Sequence, residues 1–444
     1  MSELAKTLEG IVGGEYVRVG EGTRTYAVDG VVPTVVVSPG TVEEVSAVLA
    51  ACSKSDAAVV PWGGGVHMGL GGLPKRVDVV LALGRMNRVI DHEPGDMTST
   101  VQAGMTLSGY QTHLSRHDQF LGLDAPGGAR ATIGGILAAN ASGPRRLRYG
   151  TARDLLIGLR VVDAGGAVTK GGAKVVKNVT GYDMNKLYIG SLGTLGVIVE
   201  ATFRLYPVPA CERTLVATFP TAEKASEILP RILGSPLVPS AVELLNETAA
   251  REVGRQSGVT SDLRGIVLAV AVASVPEAVE AQIRTAQGMA GEASGSLVLE
   301  GQPHEAFWAA VRDFDSGHGP AVVLKASVLL ARVAGAMEYG ERLAAQHRLH
   351  VAVISEAGTG ILRYHFSEGD GADSAGRLAE IVASLREFTV EAKGSLVVLH
   401  APAAVKARVD VWGPPGINFA LMRGLKEQFD PGKILNPGRF VGGL

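Results

Sequence analysis

Cysteine is nearly absent: Cys52 and Cys211 are the only two in 444 residues. Two thiols cannot build a disulfide framework, a zinc site or the ligand set of an iron–sulfur cluster. Both are expected to be packed thiols in a reducing compartment. An excess of charge is also missing, with 42 basic against 44 acidic residues. That balance leaves no electrostatic footprint for nucleic acid or an anionic membrane surface, so no polyanion partner is expected. No apolar run reaches the ~18 residues of a membrane span, and the first residues lack the basic, apolar, small-residue order of a signal peptide. The chain is expected to be cytoplasmic, without direct membrane insertion, reaching the inner membrane only peripherally through a partner. Low-complexity and solenoid periods are missing too.

What the chain has is glycine, 58 residues of it, concentrated in loops. The first loop is Pro61-Trp-Gly-Gly-Gly-Val-His67. The second runs from Pro126 through Gly127, Thr132, Ile133, Gly134 and Gly135 to Asn140, Ser142 and Gly143. Around them the length suits two or three domains at a prior of ~150 residues each. Thr41 and Glu44 have the spacing of a helix capping box, and Val42, Val45, Val48, Leu49 and Cys52 follow at helical intervals. A buried strand then leads into the first loop. The Glu93-Pro-Gly-Asp96 turn predicts a hairpin, and a helix follows it. Residues 131–143 are expected to form a helix of small residues. A helix over Asp183 to Ile189, a glycine-spaced turn at 190–196 and a strong strand follow, and Pro207 and Pro209 mark a boundary. Between 210 and 409, apolar strands alternate with Ala-rich helices at 221–233, 276–291, 332–346 and 374–387, which predicts an antiparallel sheet with helices on one face. The fold class is α+β, with domains over 1–209 and 210–409, and a tail over 410–444 that returns to the first domain.

The loops suit a bulky anion. Gly63, Gly64 and Gly65 carry no Cβ, so their N–H groups can converge on one phosphate, and the loop at Thr132 to Gly135 can serve a second with a hydroxyl added. No Walker lysine follows either loop, and the first lies between two strands rather than between a strand and a helix. ATP and a nicotinamide Rossmann site are thereby disfavoured. A dinucleotide with a pyrophosphate and a ring needing fixed polar partners remains, and FAD is such a molecule.

The segments PWGGGVHMGLG (61–71), TVQAGMTL (100–107), 125–162 and 177–207 resemble, in that order, the FAD-binding domain of the vanillyl-alcohol oxidase and p-cresol methylhydroxylase superfamily. The closing FDPGKILNPGRF (429–440) is similar to the end of its glycolate oxidase, D-lactate dehydrogenase and D-2-hydroxyglutarate dehydrogenase branch. The run KNVTGYDMNKL (177–187), the reduced cap and the length resemble the FAD-binding, or E, subunits of bacterial glycolate oxidases. The resemblance implies a p-cresol methylhydroxylase-type FAD-binding domain of two subdomains under an α+β cap. It places Pro61, Gly63, Gly64, Gly65, Val66, His67 and Gly69 at the pyrophosphate, with Pro126, Gly127, Thr132, Ile133, Gly134 and Gly135 opposite. Asn140, Ser142, Gly143, Tyr149 and Gly150 would line the dinucleotide. Gly196, Val197 and Ile198 would meet the pyrimidine edge of the ring, and Asn436 would approach from the tail. Some superfamily members bind FAD covalently through a histidine directly after a Gly-Gly pair. Here Val66 intervenes before His67, so non-covalent FAD is expected.

In the cap, FWAAVRDFD (307–315) and VVLKASVLLAR (322–332) resemble segments that supply carboxylate-binding cations in the related dehydrogenases, which points to Arg312 and Lys325. The same enzymes carry a His, Gly-Asp-Gly, His metal pattern. Here Glu356 stands for the first histidine and Arg363 for the second, and an arginine cannot ligate a cation. His365 is displaced by two residues and stays on the same strand face, a candidate catalytic group. No metal is expected. The resemblance implies a flavoprotein subunit of a glycolate-type (2-hydroxy acid) dehydrogenase, with a paralogous flavoprotein subunit and an iron–sulfur subunit as partners. A stand-alone alcohol or hydroxy-acid oxidase using O₂, and a non-catalytic FAD-bearing relay, are the alternatives.

Overall fold

A computed structural model of the protein describes residues 2–172, 183–259, 263–314, 321–367 and 374–444. The part of the resemblance carried by residues 177–182 lies outside them. The chain divides into two compact units. One comprises the residues up to Ser142, Thr151–Pro207 and Pro414–Leu444; the other comprises Gly143–Gly150 and Val208–Gly413.

The first unit holds two sheets. Strands β1 (Val17–Val19), β2 (Val35–Val37), β3 (Val59–Trp62) and β4 (Val79–Ala82) line up in the order β1-β2-β4-β3. The pairs β2–β4 and β3–β4 are parallel, and β1 closes on β2 antiparallel. All-apolar runs such as Val35–Val37 suit strands covered on both faces. The helix Val42–Lys54 buries Val45, Val48, Leu49 and Cys52 in this core, as its spacing predicts. Its Thr41 hydroxyl accepts from the Glu44 amide at 3.1 Å, while the Glu44 carboxylate accepts from Gly40 N at 2.6 Å, one residue before the usual capping-box partner. Burial, and then Asp78, push the Cys52 thiol up to about 12, so it is an inert core thiol.

The second sheet comprises β5 (Val89–Glu93), β6 (Thr98–Gln102), β8 (Leu156–Val162), β9 (Val168–Gly172) and β10 (Val197–Arg204), in the order β5-β6-β10-β8-β9. Every pairing is antiparallel, and β5 and β6 form the expected hairpin over Pro94–Asp96. A short β7 (Gln119–Phe120) pairs with β11 (Tyr206–Pro207). The helix expected over 183–189 is one turn, Asn185–Tyr188.

The tail is locked to this unit by a buried charge. In the helix Phe419–Phe429 the one buried residue is Lys426, whose ammonium donates to Asp430 Oδ2 (2.5 Å), Thr194 O (2.8 Å) and Leu435 O (2.9 Å). Asp430 also accepts from the amides of Ile434 and Leu435, which turns the chain sharply after the helix. Residues 434–436 then run beside β3, with Val59 N donating to Ile434 O and Asn436 N to Val59 O.

The second unit is built on one antiparallel sheet of eight strands: β12 (Cys211–Phe219), β13 (Pro239–Leu245), β14 (Ile266–Ser274), β15 (Gly295–Glu300), β16 (Val322–Ser327), β17 (Val351–Glu356), β18 (Ile361–Phe366) and β19 (Ser395–His400). The order is β15-β12-β14-β13-β17-β18-β16-β19. Two corrections to the expected layering follow. Helices cover both faces of the sheet. Leu268, Val270 and Val272 face the side covered by Pro276–Met289 and Ala222–Ser226, while Val267 and Ala269 face the side of Glu247–Ser257 and Gln302–Arg312. The physical reason is the unbroken apolar run 266–273, which has no polar alternation to give to solvent. The single helix expected over 221–233 is two, Ala222–Ser226 and Leu229–Leu233, with Pro230 opening the second. No described helix is long and apolar enough to cross a membrane.

Removing one partner of the buried Lys426–Asp430 pair leaves an uncompensated charge. Asp430→Ala is therefore expected to cost about 3–5 kcal/mol, read as a lower urea midpoint and lost hydrogen-exchange protection across 430–440. The double change Lys426→Met, Asp430→Leu is expected to cost less than the single one.

Candidate functional site

The first loop leaves β3 and crosses the second at a distance that only glycine permits. A Cβ on Gly64 would fall 1.7 Å from the Arg130 carbonyl oxygen, and one on Gly63 would fall 2.1 Å from Thr132 Oγ1. Gly65 adopts φ +75°, in the left-handed region. Thr132 also caps the helix Ile133–Ala139, accepting from Gly135 N, and Asn140 ends that helix at φ +49°. A cleft opens between the two loops.

Pro61, Gly63, Gly64, Gly65, Val66, His67, Thr132, Gly134, Gly135, Gly196, Val197, Ile198 and Asn436 all line it. Gly69, Pro126, Gly127, Ile133, Asn140, Ser142, Gly143, Tyr149 and Gly150 are not on its wall. Gly127 backs the first loop, where a Cβ would meet Val66, and Ile133 is fully buried in the core. Gly143, Tyr149 and Gly150 group with the second unit. The cause is three anchors within four residues: Arg145 pairs with Glu212 at 3.0 Å, Arg146 lies 3.6 Å from Glu356, and Arg148 donates to the carbonyls of Val238 and Ala273.

Among the wall residues not anticipated from the sequence are Trp62, Leu192 and Arg439. The Arg439 side chain is 2% exposed and donates to the carbonyls of Met68 and Leu70, clasping the end of the first loop to the tail. Burial pushes its guanidinium down from the ordinary value. Asn436 donates to Leu192 O at 2.7 Å, while its Oδ1 is buried without a hydrogen-bond partner among the described residues. That carbonyl oxygen needs an N–H donor, and a flavin ring has one at N3. Gly63, Gly64 and Gly65 put backbone without Cβ atoms on the wall, while the amides of Gly134 and Gly135 on the second loop are taken by Ala103 O and Thr132 Oγ1. These residues fit a flavin dinucleotide.

In the second unit, one sheet face is charged. Glu243 on β13 is in register with Glu356 on β17, Ile354 with Arg363 on β18, and Arg363 with Lys325 on β16. Glu243, Glu356, Arg363 and Lys325 therefore share a face, and His365, two residues from Arg363, joins them. Carboxylates opposed across strands repel unless cations intervene. Arg363 does so, its Nη2 donating to Glu356 Oε1 at 2.7 Å, with Glu356 3% exposed and Arg146 on its other oxygen. His365 lies at 6% exposure with the Phe314 ring edge-on at 4.8 Å.

Lys325 is half-buried and, among the described residues, makes no hydrogen bond or ion pair. Burial first, and then the Arg363 guanidinium, push its amine down to about 8 against the opposing pull of Glu356. The other expected cation, Arg312, is held by its neighbour Asp313 at 2.5 Å. No contact between Arg312 and the Lys325 face is present among the described residues. Nor do three His, Cys, Asp or Glu side chains converge there as a ligand set for a metal ion.

Comparison with known proteins agrees with the cleft. The family described as "FAD binding domain" matches residues 33–172, and the family described as "FAD linked oxidases, C-terminal domain" matches residues 208–440. The chain is 27% identical to glycolate oxidase subunit GlcD of Bacillus subtilis, over 92% of this chain and 88% of that one. It is 30% identical to D-lactate dehydrogenase of Archaeoglobus fulgidus, over 92% and 91%. Among solved structures, p-cresol methylhydroxylase with substrate bound matches 98% of this chain and 96% of its own with a TM-score of 0.77 at 16% identity, a likeness of fold. FAD, held without a covalent bond, is the cofactor.

Because a Cβ at Gly64 has no room, Gly64→Ala must displace the Arg130 backbone of the second loop. The variant is expected to purify with less than a tenth of the wild-type flavin absorbance per protein, while hydrogen exchange over 210–300 stays unchanged. Full flavin content in the variant would refute this placement of the loops.

Proposed function

The chain belongs to the family of FAD-linked oxidases, and from that premise we propose that it is the flavoprotein subunit of a dehydrogenase acting on small 2-hydroxy acids, glycolate and D-lactate foremost. The observation that carries this reading is the charged sheet face of the second unit. Arg146 and Arg363 bring two guanidinium groups to a single carboxylate, Glu356, beside Lys325 on the same face, which leaves one surplus positive charge. One substrate carboxylate balances that surplus. The guanidinium groups can each offer paired N–H donors to a planar carboxylate.

FAD, when bound, supplies a two-electron acceptor. The chain's own residues bind and orient the acid. Glu356 is the fixed point of the arrangement, since it holds Arg363 directly and Arg146 beside it, so that neither guanidinium spends entropy finding its place on substrate binding. Burial of the group strengthens each charge–charge contact relative to water.

The relatives support the substrate class, one being a subunit of glycolate oxidase and another a D-lactate dehydrogenase by name. With two cysteines in the chain, any iron–sulfur centre that receives the electrons belongs to another subunit. In this reading a paralogous flavoprotein subunit completes the complex. It is cytoplasmic, and meets a membrane only through a partner.

The test is turnover by the purified, FAD-loaded chain with glycolate and D-lactate, using an artificial electron acceptor in air. Acceptor reduction at least tenfold faster than peroxide formation is the expected result. Peroxide at a comparable rate would make it a stand-alone oxidase, and no reduction without partner subunits would make it a relay. Arg146→Met removes one charged hydrogen-bond donor and is expected to raise the substrate Kd about 10- to 100-fold, corresponding to ~1.5–3 kcal/mol, with unchanged circular dichroism.

A further inference from the structure

The charged face contains one group whose surroundings do not match a binding cation. Glu356, the nearest described carboxylate, is already engaged by Arg363 at 2.7 Å and flanked by Arg146 at 3.6 Å. Lys325 sits directly across the strand pair from Arg363, half-buried and without a hydrogen bond or ion pair among the described residues. A buried ammonium with guanidinium groups as its near neighbours gains by giving up its proton. A neutral amine has a lone pair to offer.

We propose that Lys325 is the catalytic base: its uncharged Nζ accepts the hydroxyl proton of the 2-hydroxy acid while Arg146 and Arg363 hold the acid's carboxylate. The proposal rests on the substrate reading above. In the step, the O–H and C2–H bonds of the acid break and a C=O double bond forms. The proton goes to Lys325 Nζ and is later lost to solvent, and the two electrons leave with the C2 hydrogen to the acceptor already named. The product is a 2-oxo acid.

Binding an anion beside an amine ordinarily makes the amine more basic, which would work against this role. Here the two arginines and Glu356 carry one surplus positive charge between them, and the substrate carboxylate cancels it. Burial, the larger cause of the lowered basicity, stays in force and deepens as substrate displaces water. The groups facing Lys325 are Arg363 and His365 on β18, Glu356 on β17 and Arg146 from the helix Arg146–Tyr149. From β19 the residues paired to its strand bring His400, opposite Val323. Glu243 stands three strands away on β13, roughly 14 Å at ~4.8 Å per strand, and has partners of its own. His365, packed against Phe314, is left as a neighbour rather than the base.

Two measurements on the FAD-loaded protein test the assignment. Trace acetylation across a pH series, read by mass spectrometry at the peptide containing Lys325, is expected to show this amine becoming reactive near pH 8, where surface lysines follow their ordinary value of 10.5. Reactivity only alongside the surface lysines, or none at any pH, overturns the proposal. Lys325→Arg puts a permanent cation where the amine stands, one that cannot lose its proton. It is expected to slow anaerobic flavin bleaching by about 10²–10⁴-fold, to bind oxalate at least as tightly as the wild type does, and to lose the rise in rate through pH 8. Lys325→Ala is expected to recover activity with added primary amines. Wild-type bleaching rates in Lys325→Arg overturn the base assignment alone. Failure of every 2-hydroxy acid to bleach the wild-type flavin overturns the substrate reading and the base assignment with it.

Discussion

The near-contact between two backbones, Gly64 against the carbonyl of Arg130 with Gly63 against Thr132 beside it, is the constraint on which the cofactor site depends. The two loops press together where any side chain would hold them apart, and their glycines line the cleft beside that contact. The tail finishes the enclosure. Asn436 and Arg439 reach the wall because Lys426 and Asp430 fix the turn before them, and because residues 434–436 hydrogen-bond along β3. A buried ion pair far from any chemistry thus sets the position of a side-chain carbonyl oxygen that has no hydrogen-bond partner among the described residues.

The second unit solves a different problem, that of keeping charge inside a sheet covered on both faces. Most of its strands are apolar on both sides, and one region of one face is not. There the register of β13, β17, β18 and β16 brings two carboxylates, a lysine, an arginine and a histidine into one group. Arg363 and Arg146 compensate Glu356, and among the described residues Lys325 makes no ion pair of its own. This asymmetry separates holding a carboxylate from taking a proton, and it gives each task to a different kind of side chain.

Much of this was legible in order along the chain, because local rules govern it. The spacing of Thr41, Glu44 and the valines after it fixed a helix, Glu93-Pro-Gly-Asp96 fixed a hairpin, and the missing Walker lysine narrowed the ligand of the glycine loops. What escaped depends on contacts between distant residues. Nothing local in Gly143–Gly150 says that its arginines reach Glu212, Glu356 and the carbonyls of Val238 and Ala273. Arg312 matched a pattern, yet the acid that occupies it is the very next residue. Glu356 and Arg363 were both noted as replacements of ligands, but their pairing required knowing that β17 and β18 fold back on one another. Two signals were present and unread: the unalternating run 266–273, which asks for cover on both faces, and the arginine that follows Asn436-Pro-Gly in a tail otherwise built of turns.

The central claim is that a flavin site and a charged, ligand-poor sheet face together oxidise a 2-hydroxy acid without a metal ion. Its most direct test is an anaerobic titration of the FAD-loaded chain with D-lactate and with glycolate after exhaustive chelation, followed by flavin absorbance. The account predicts stoichiometric bleaching by at least one of the two acids, at a rate that added zinc or manganese leaves unchanged. A flavin that stays oxidised until a divalent metal is restored would contradict it.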